Sequence, residues 1–151
     1  MTEIKYTQGF DTLMNALEHG GALLISGDVG NPMTIGWATI GRVWSRPMLT
    51  VYVRPSRYSF DLLEVEKGFA VCVIPQDMGK ELAVCGSQSG RNVNKITACG
   101  FHLQKGEKIQ TPYIQESILH YECKIVHKND VIDAQIDSGI RKDYYPQGDF
   151  H

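Results

Sequence analysis

The chain has 151 residues, 42% of them hydrophobic and 21% charged, with a formal net charge of −2. That is the size and balance of one globular domain with a real core, which excludes a disordered segment, and the lack of any long run of one sign leaves no electrostatic footprint for nucleic acid or an anionic membrane. No apolar run reaches membrane-span length, and Met1-Thr2-Glu3-Ile4-Lys5 lacks the apolar core of a signal peptide, so a cytoplasmic protein is expected.

In chain order, Phe10, Leu13, Met14 and Leu17 recur at helical spacing, and Gly20-Gly21 stops that helix. Ala22-Leu23-Leu24-Ile25-Ser26 reads as a short apolar strand, followed by a turn through Gly27-Asp28-Val29-Gly30-Asn31-Pro32. Strands follow at about 33–41 and 47–54, with a turn around Ser45-Arg46-Pro47. A short helix from Ser56 or Ser59 carries Phe60 and Leu63 and closes at Gly68. Phe69 to Ile74 is apolar throughout, the mark of a central strand. Asp77 can cap a helix running to about Cys85; Gly86 to Arg91 is a loop of small polar residues, and a second helical piece lies around Val93 to Ile96. Leu119, Tyr121, Cys123 and Ile125 alternate with polar residues as in a strand with one wet face, Asn129-Asp130 turns, and the aromatic tail Tyr144 to His151 reads as a loop. Many short strands and few short helices define a mainly β fold, a closed or half-closed barrel with peripheral helices.

The chain carries no P-loop, dinucleotide fingerprint or nucleophile elbow. The cysteines Cys72, Cys85, Cys99 and Cys123 form no C-x-x-C, so they give no support for zinc or iron–sulfur ligation, and no metal site is expected. Cys72 and Cys123 read as buried, reduced core thiols, whereas Cys85 and Cys99 lie near glycines and polar loops. His120 and His127 share a strand seven positions apart, facing opposite sides, and read as surface or interface histidines. Glu64 and Glu66 read as a solvated helix face, not as an acid–base pair. No catalytic side chain is assigned.

What remains are groups that bind and do not react. Arg54, Ser56, Arg57 and Ser59 gather where a strand ends and a helix begins, a place suited to phosphate because arginine forks and unpaired helix N–H groups meet there. A solvated loop whose arginines pair with nearby glutamates explains the same residues about as well. Asn31, Thr34 and Trp37 offer hydrogen-bonding groups and a flat ring, as a planar heterocycle carrying that phosphate needs. Ser87, Ser89, Gly90, Arg91 and Lys95 form a second small-polar, cationic loop.

The run Asn31-Pro32-Met33-Thr34-Ile35-Gly36-Trp37 resembles the N-x-M-T-x-x-W signature of the flavin reductase-like, FMN-binding split-barrel proteins, the family containing flavoredoxin. Arg54-Pro55-Ser56-Arg57-Tyr58-Ser59 is similar to its arginine and hydroxyl segment, Ser89-Gly90-Arg91-Asn92-Val93-Asn94-Lys95 to its S-G-R-x-x-x-K loop, and Gly148-Asp149-Phe150-His151 to its G-D-x-H. Ser59 stands where the family often has threonine, and the family's C-terminal strand is expected to be absent after residue 151.

The resemblance implies one split-barrel, Greek-key domain over residues 1–151, a homodimer, and one FMN per subunit. Asn31, Met33, Thr34 and Trp37 would line the isoalloxazine ring. Arg54, Arg57 and Ser59, helped by Ser56, would hold the phosphate, and Ser89, Gly90, Arg91 and Lys95 would close from the other side. The implied activity is an oxidoreductase passing electrons from NAD(P)H through flavin to a small-molecule or protein acceptor. The alternatives are a flavin-binding electron carrier reduced by a partner protein, and a binding domain without enzymatic activity.

Overall fold

The computed structural model describes residues 2–151. Helix α1 (Phe10–Glu18) buries Leu13 completely and packs Met14 and Leu17 against the core. It ends at Gly20 and Gly21, both at positive φ (125° and 115°). A Cβ on Gly21 would meet the Ile35 carbonyl oxygen at 2.7 Å, so the chain can reverse there only through glycine.

Four antiparallel strands form the central sheet: β1 (Ala22–Ser26), β2 (Asn31–Ile35), β5 (Gly68–Val73) and β8 (Leu119–Lys124), in the order β2-β1-β5-β8. Every residue of β1 and β5 is buried, which explains their unbroken apolar sequences. Pro32 costs no ladder bond of consequence because β2 lies at the sheet edge. One sheet face, with Leu24, Met33 and Val71, packs with Leu13 of α1 and Leu63 of α2 (Tyr58–Val65). The other, with Leu23, Ile25, Ala70 and Cys72, packs against Cys85 of α3 (Gly79–Ser87) and Ile96 and Cys99 of α4 (Lys95–Cys99).

The strand expected at 33–41 is two strands. The chain bends at Gly36-Trp37, leaves the sheet, and continues as β3 (Ala38–Val43), which pairs only with β4 (Arg46–Val51). The turn between them is Trp44-Ser45, so of the turn expected around Ser45-Arg46-Pro47 only Ser45 belongs to it. Both residues hold positive φ (51° and 58°), the geometry of a two-residue hairpin turn matched to strand twist. Pro47 instead lies within β4, opposite Arg42. A third, short ladder joins β6 (Leu103–Gln104) and β7 (Tyr113–Ile114). Between the β3–β4 ribbon and β8 lies an open cleft of about 860 Å³, whose apolar lining includes Leu49, Val51, Phe69, Tyr121 and Ile125.

His120 is not a surface histidine. Its side chain is largely buried and its ring stacks on Tyr113, with centroids 3.9 Å apart. His127 lies beyond the end of β8, edge-on to Trp44.

After β8 the chain forms a helix the apolar pattern did not reveal, α5 (Ser138–Tyr144), capped by Asp137 Oδ1, which accepts from the Gly139 and Ile140 amides. Its last residue, Tyr144, lies inside the stretch expected to be a loop; Tyr145 to His151 is irregular as expected. No helix among the described residues is long and apolar enough to cross a membrane.

Candidate functional site: a cationic pocket between two helices

The pocket is built where β2, the start of α2 and the α3–α4 connection meet. Arg57 has extended backbone and sits at the N-cap of α2, and no side chain caps that end. Just inside the helix, Ser59 is almost fully buried and its Oγ accepts a 3.1 Å hydrogen bond from Asn31 Nδ2. This joins the first residue of β2 to the first turn of α2.

The α3–α4 connection is held by cations on helix carbonyls. Arg57 Nη2 donates to the Gly86 carbonyl (3.0 Å) and Lys95 Nζ to the Cys85 carbonyl (3.2 Å). Both carbonyls belong to the last turn of α3, whose orphan acceptors and negative dipole end favour positive charge. Arg91 forms an ion pair with Asp61 of α2, donates to the Ser56 carbonyl (3.3 Å), and lies over the Tyr58 ring.

Gly90 is fixed by close approach. A Cβ there would stand 2.1 Å from Asn31 Oδ1 and 2.7 Å from the Tyr58 ring. Gly90→Ala is therefore expected to displace this loop and cost about 1–3 kcal/mol of stability, read as a lowered denaturant midpoint at unchanged slope.

Nine of the twelve residues expected at the site line one pocket of about 230 Å³: Asn31, Met33, Ser56, Arg57, Ser59, Ser89, Gly90, Arg91 and Lys95. Tyr58, Ser87 and Gln88 complete it. Tyr58 was not assigned a role from sequence, although it lies inside the arginine–serine run.

The other three sit elsewhere. Thr34 Oγ1 donates to the Leu82 carbonyl (2.6 Å), tying β2 to α3. Trp37, 42% exposed, stands at the bend after β2, edge-on to Tyr144 and near His151. Arg54 is turned to the tail, where it donates to the Tyr144 and Asp149 carbonyls (2.8 and 3.3 Å) and lies 4.8 Å over the Tyr145 ring.

Ser56 faces both groups. It lines the pocket, yet its backbone N–H and Oγ both donate to the Asp149 carboxylate, at 3.2 and 2.6 Å. Gly148 and Asp149, both at positive φ (82° and 56°), form the bend that brings that carboxylate to Ser56. Asp61 and Asp149 carried no signal in the apolar pattern. Asp149 stands in the G-D-x-H motif without a role assigned to it, and Asp61 is recognisable only once α2 is folded against Arg91.

Charge is unbalanced in the pocket. Arg57, Arg91 and Lys95 line it; among the described residues only Arg91 has a carboxylate partner, and Lys95 is 3% exposed. Burial pushes the Lys95 ammonium below the usual lysine range, and the Arg57 guanidinium acts in the same direction. A buried ammonium beside a half-buried guanidinium is costly unless an anion joins them.

The fold and this pocket define the class. Residues 14–139 match the family described as flavin reductase like domain, and the chain belongs to that family. It is 30% identical over 105 residues to an uncharacterized protein from Archaeoglobus fulgidus, covering 69% of this chain and 59% of that one. Flavoredoxin from Methanosarcina acetivorans has the same fold with a TM-score of 0.64 at 30% identity, covering 74% of this chain and 58% of that one. Flavoredoxin of Desulfovibrio vulgaris (Miyazaki F) gives a TM-score of 0.67 at 23% identity, covering 72% and 60%. The chain thus spans about three-fifths of the length of these relatives.

Proposed function

We propose that the pocket holds the phosphate of FMN and that the chain is the flavin-holding domain of an oxidoreductase that takes electrons from NAD(P)H and passes them to a small-molecule or protein acceptor. The observation that carries the reading is the excess of positive charge, including the buried Lys95, on a small pocket in a chain of the flavin reductase like family. Arg57, Arg91 and Lys95 supply charge-assisted donors, and Ser59 and Ser89 supply hydroxyls. The volume, about 230 Å³, suits a phosphate with part of its ribityl chain and is too small for a whole flavin, so the ring would lie beyond it. Asn31 and Met33 are the pocket residues placed on β2, the strand that leads to Thr34 and Trp37.

Bound flavin supplies hydride acceptance and one- or two-electron transfer, chemistry that asks the protein for position and electrostatics more than for an acid or base. The protein's own work is then to fix the phosphate through the three cations, to keep water from the buried Lys95 and Ser59, and to hold the α3–α4 connection in place through Gly90. The proposal extends to a cytoplasmic homodimer, for which the open apolar cleft beside β8 is the natural contact. A monomer at micromolar concentration in sedimentation velocity would refute that part.

Arg57→Ala tests the phosphate contact. Losing one charge-assisted contact is expected to cost about 1.5–3 kcal/mol of FMN binding, measured by quenching of flavin fluorescence. Unchanged affinity would remove Arg57 from the site. Anaerobic bleaching of the bound flavin by NADH or NADPH tests the donor, and a flavin that stays oxidised with both would point to a protein reductant.

A further inference from the structure

Two of the four cysteines face each other beneath the pocket. Cys85, in the last turn of α3, and Cys99, the last residue of α4, place their Sγ atoms 3.9 Å apart. Cys85 is completely buried, whereas Cys99 is partly exposed. The other two cysteines cannot make such a pair, because Cys72 packs on one face of the central sheet and Cys123 on the other. The chain between Cys85 and Cys99 carries much of the pocket wall: Ser87, Gln88, Ser89, Gly90, Arg91 and Lys95. Cys85 also offers its carbonyl to Lys95 Nζ, so the thiol pair and the buried cation share one residue.

We propose that Cys85 and Cys99 are a dithiol–disulfide pair whose oxidation pins the cationic α3–α4 connection over the pocket. A disulfide places its sulfurs about 2 Å apart, so the atoms must approach by about 2 Å from their present separation. Cys99 can shift because Gly100, in left-handed conformation, ends its helix immediately afterwards.

The oxidant is a small disulfide such as oxidised glutathione. The partly exposed Cys99 loses its proton to solvent and, as the thiolate, attacks one of its sulfurs, forming a mixed disulfide and releasing one thiolate. Cys85 then attacks the Cys99 sulfur, gives up its proton to that thiolate, and displaces the second thiol. Two protein thiols are oxidised, and one small disulfide is reduced to two thiols. Burial raises both thiols, Cys85 to about 12, and the order follows from access: the completely buried Cys85 reacts second, from inside, and the partly exposed Cys99 meets the oxidant. Fixing both ends of the connection restricts its motion and preorganises the pocket.

The pocket's ligand rests on the function proposed above; the disulfide and the stiffening do not. The test treats the full chain with oxidised glutathione under native conditions, then combines intact mass, peptide mapping, amide hydrogen exchange and FMN titration. The expected product has lost two hydrogens, carries a Cys85–Cys99 link reversed by dithiothreitol, exchanges more slowly across 86–94, and binds FMN several-fold more tightly. Cys85→Ala is expected to stop at a stable glutathione adduct on Cys99, and Cys99→Ala to form no adduct at all.

Four free thiols after treatment, or a link formed only in denaturant, overturns the proposal. So does a link that leaves exchange across 86–94 unchanged. A link with slowed exchange but no FMN binding in either state upholds the redox clamp and refutes the FMN reading instead. A link with slowed exchange and FMN bound equally in both states overturns the clamp's effect on the pocket.

Discussion

Lys95→Met is expected to weaken FMN binding by roughly 10- to 150-fold while leaving the unliganded protein no less stable. The two effects separate because of where the ammonium lies. It is 3% exposed, has no carboxylate partner among the described residues, and stands in the field of Arg57. Its hydrogen bond to the Cys85 carbonyl offsets only part of the cost of drying a charge. Methionine fills a similar volume without that cost, although it leaves the carbonyl bare. In the folded protein the lysine titrates below its ordinary value, so the charged form detracts from stability. That penalty is fully present below the lowered native value and is relieved as pH rises from that value toward about 10.4, the ordinary lysine pKa. FMN binding should move the other way, weakening as pH climbs through the lowered lysine value and the cation is lost. Thermal melts of the unliganded variant and FMN titrations across alkaline pH check both halves. A marked fall in melting temperature with FMN affinity intact would make Lys95 a helix cap and nothing more.

Glu122→Ala is expected to be the most destabilising single change outside the apolar core, by roughly 3–5 kcal/mol. The side chain is 7% exposed, and its carboxylate accepts the backbone N–H groups of Glu107, Lys108 and Ile109 at 3.1, 2.7 and 3.2 Å. It therefore organises the loop between β6 and β7 from a position on β8. Removing it strands three amides and lets that loop open beside Gly68 and Thr111, whose Oγ1 donates to the Gly68 carbonyl. Burial alone would raise this carboxyl, but the three amides, with His120, outweigh it and hold it below the usual carboxylate range. A depressed carboxylate stabilises the fold above about pH 4.3, its ordinary pKa, and that contribution is lost as pH falls through the lower native value. Denaturant midpoints measured from pH 7 down to pH 3 should fall more steeply for the parent than for Glu122→Gln, which starts lower and has no carboxylate left to titrate.

Much of this molecule was legible in the sequence because local signals agreed with the tertiary answer. Ala22–Ser26 reads as a short apolar strand and Phe69–Ile74 as a central one, both fall in the central sheet, and the Leu13 and Leu63 helices cover one face of it. Nine of the expected binding residues meet because they come from short segments at the junctions of β2, α2 and the α3–α4 connection. What was not legible depends on pairings that sequence does not record. The bend at Gly36-Trp37 divides one apolar stretch between two sheets, and only the change of pairing partner, from β1 to β4, reveals it. Helix α5 has a single apolar residue, Ile140, within Ser138–Lys142, so periodicity was silent and the Asp137 cap was its one local sign. Arg54 and Trp37, expected at the cofactor from their place in motifs, also pack with the tail, through Tyr145 and Tyr144. Those contacts join residues at least 90 positions apart and carry no signal in local periodicity.

The measurement that bears most directly on the function is a paired titration of the purified chain with FMN and with riboflavin, repeated in the presence of inorganic phosphate. The two ligands differ only by the phosphate, so their affinity ratio isolates what the cationic pocket contributes. A site of three cations and two hydroxyls predicts FMN binding at least 100-fold tighter than riboflavin, as expected for about 3 kcal/mol of charge-assisted contacts, with phosphate competing against FMN alone. Equal affinities, or competition against neither, would contradict the assignment of this pocket to the flavin phosphate.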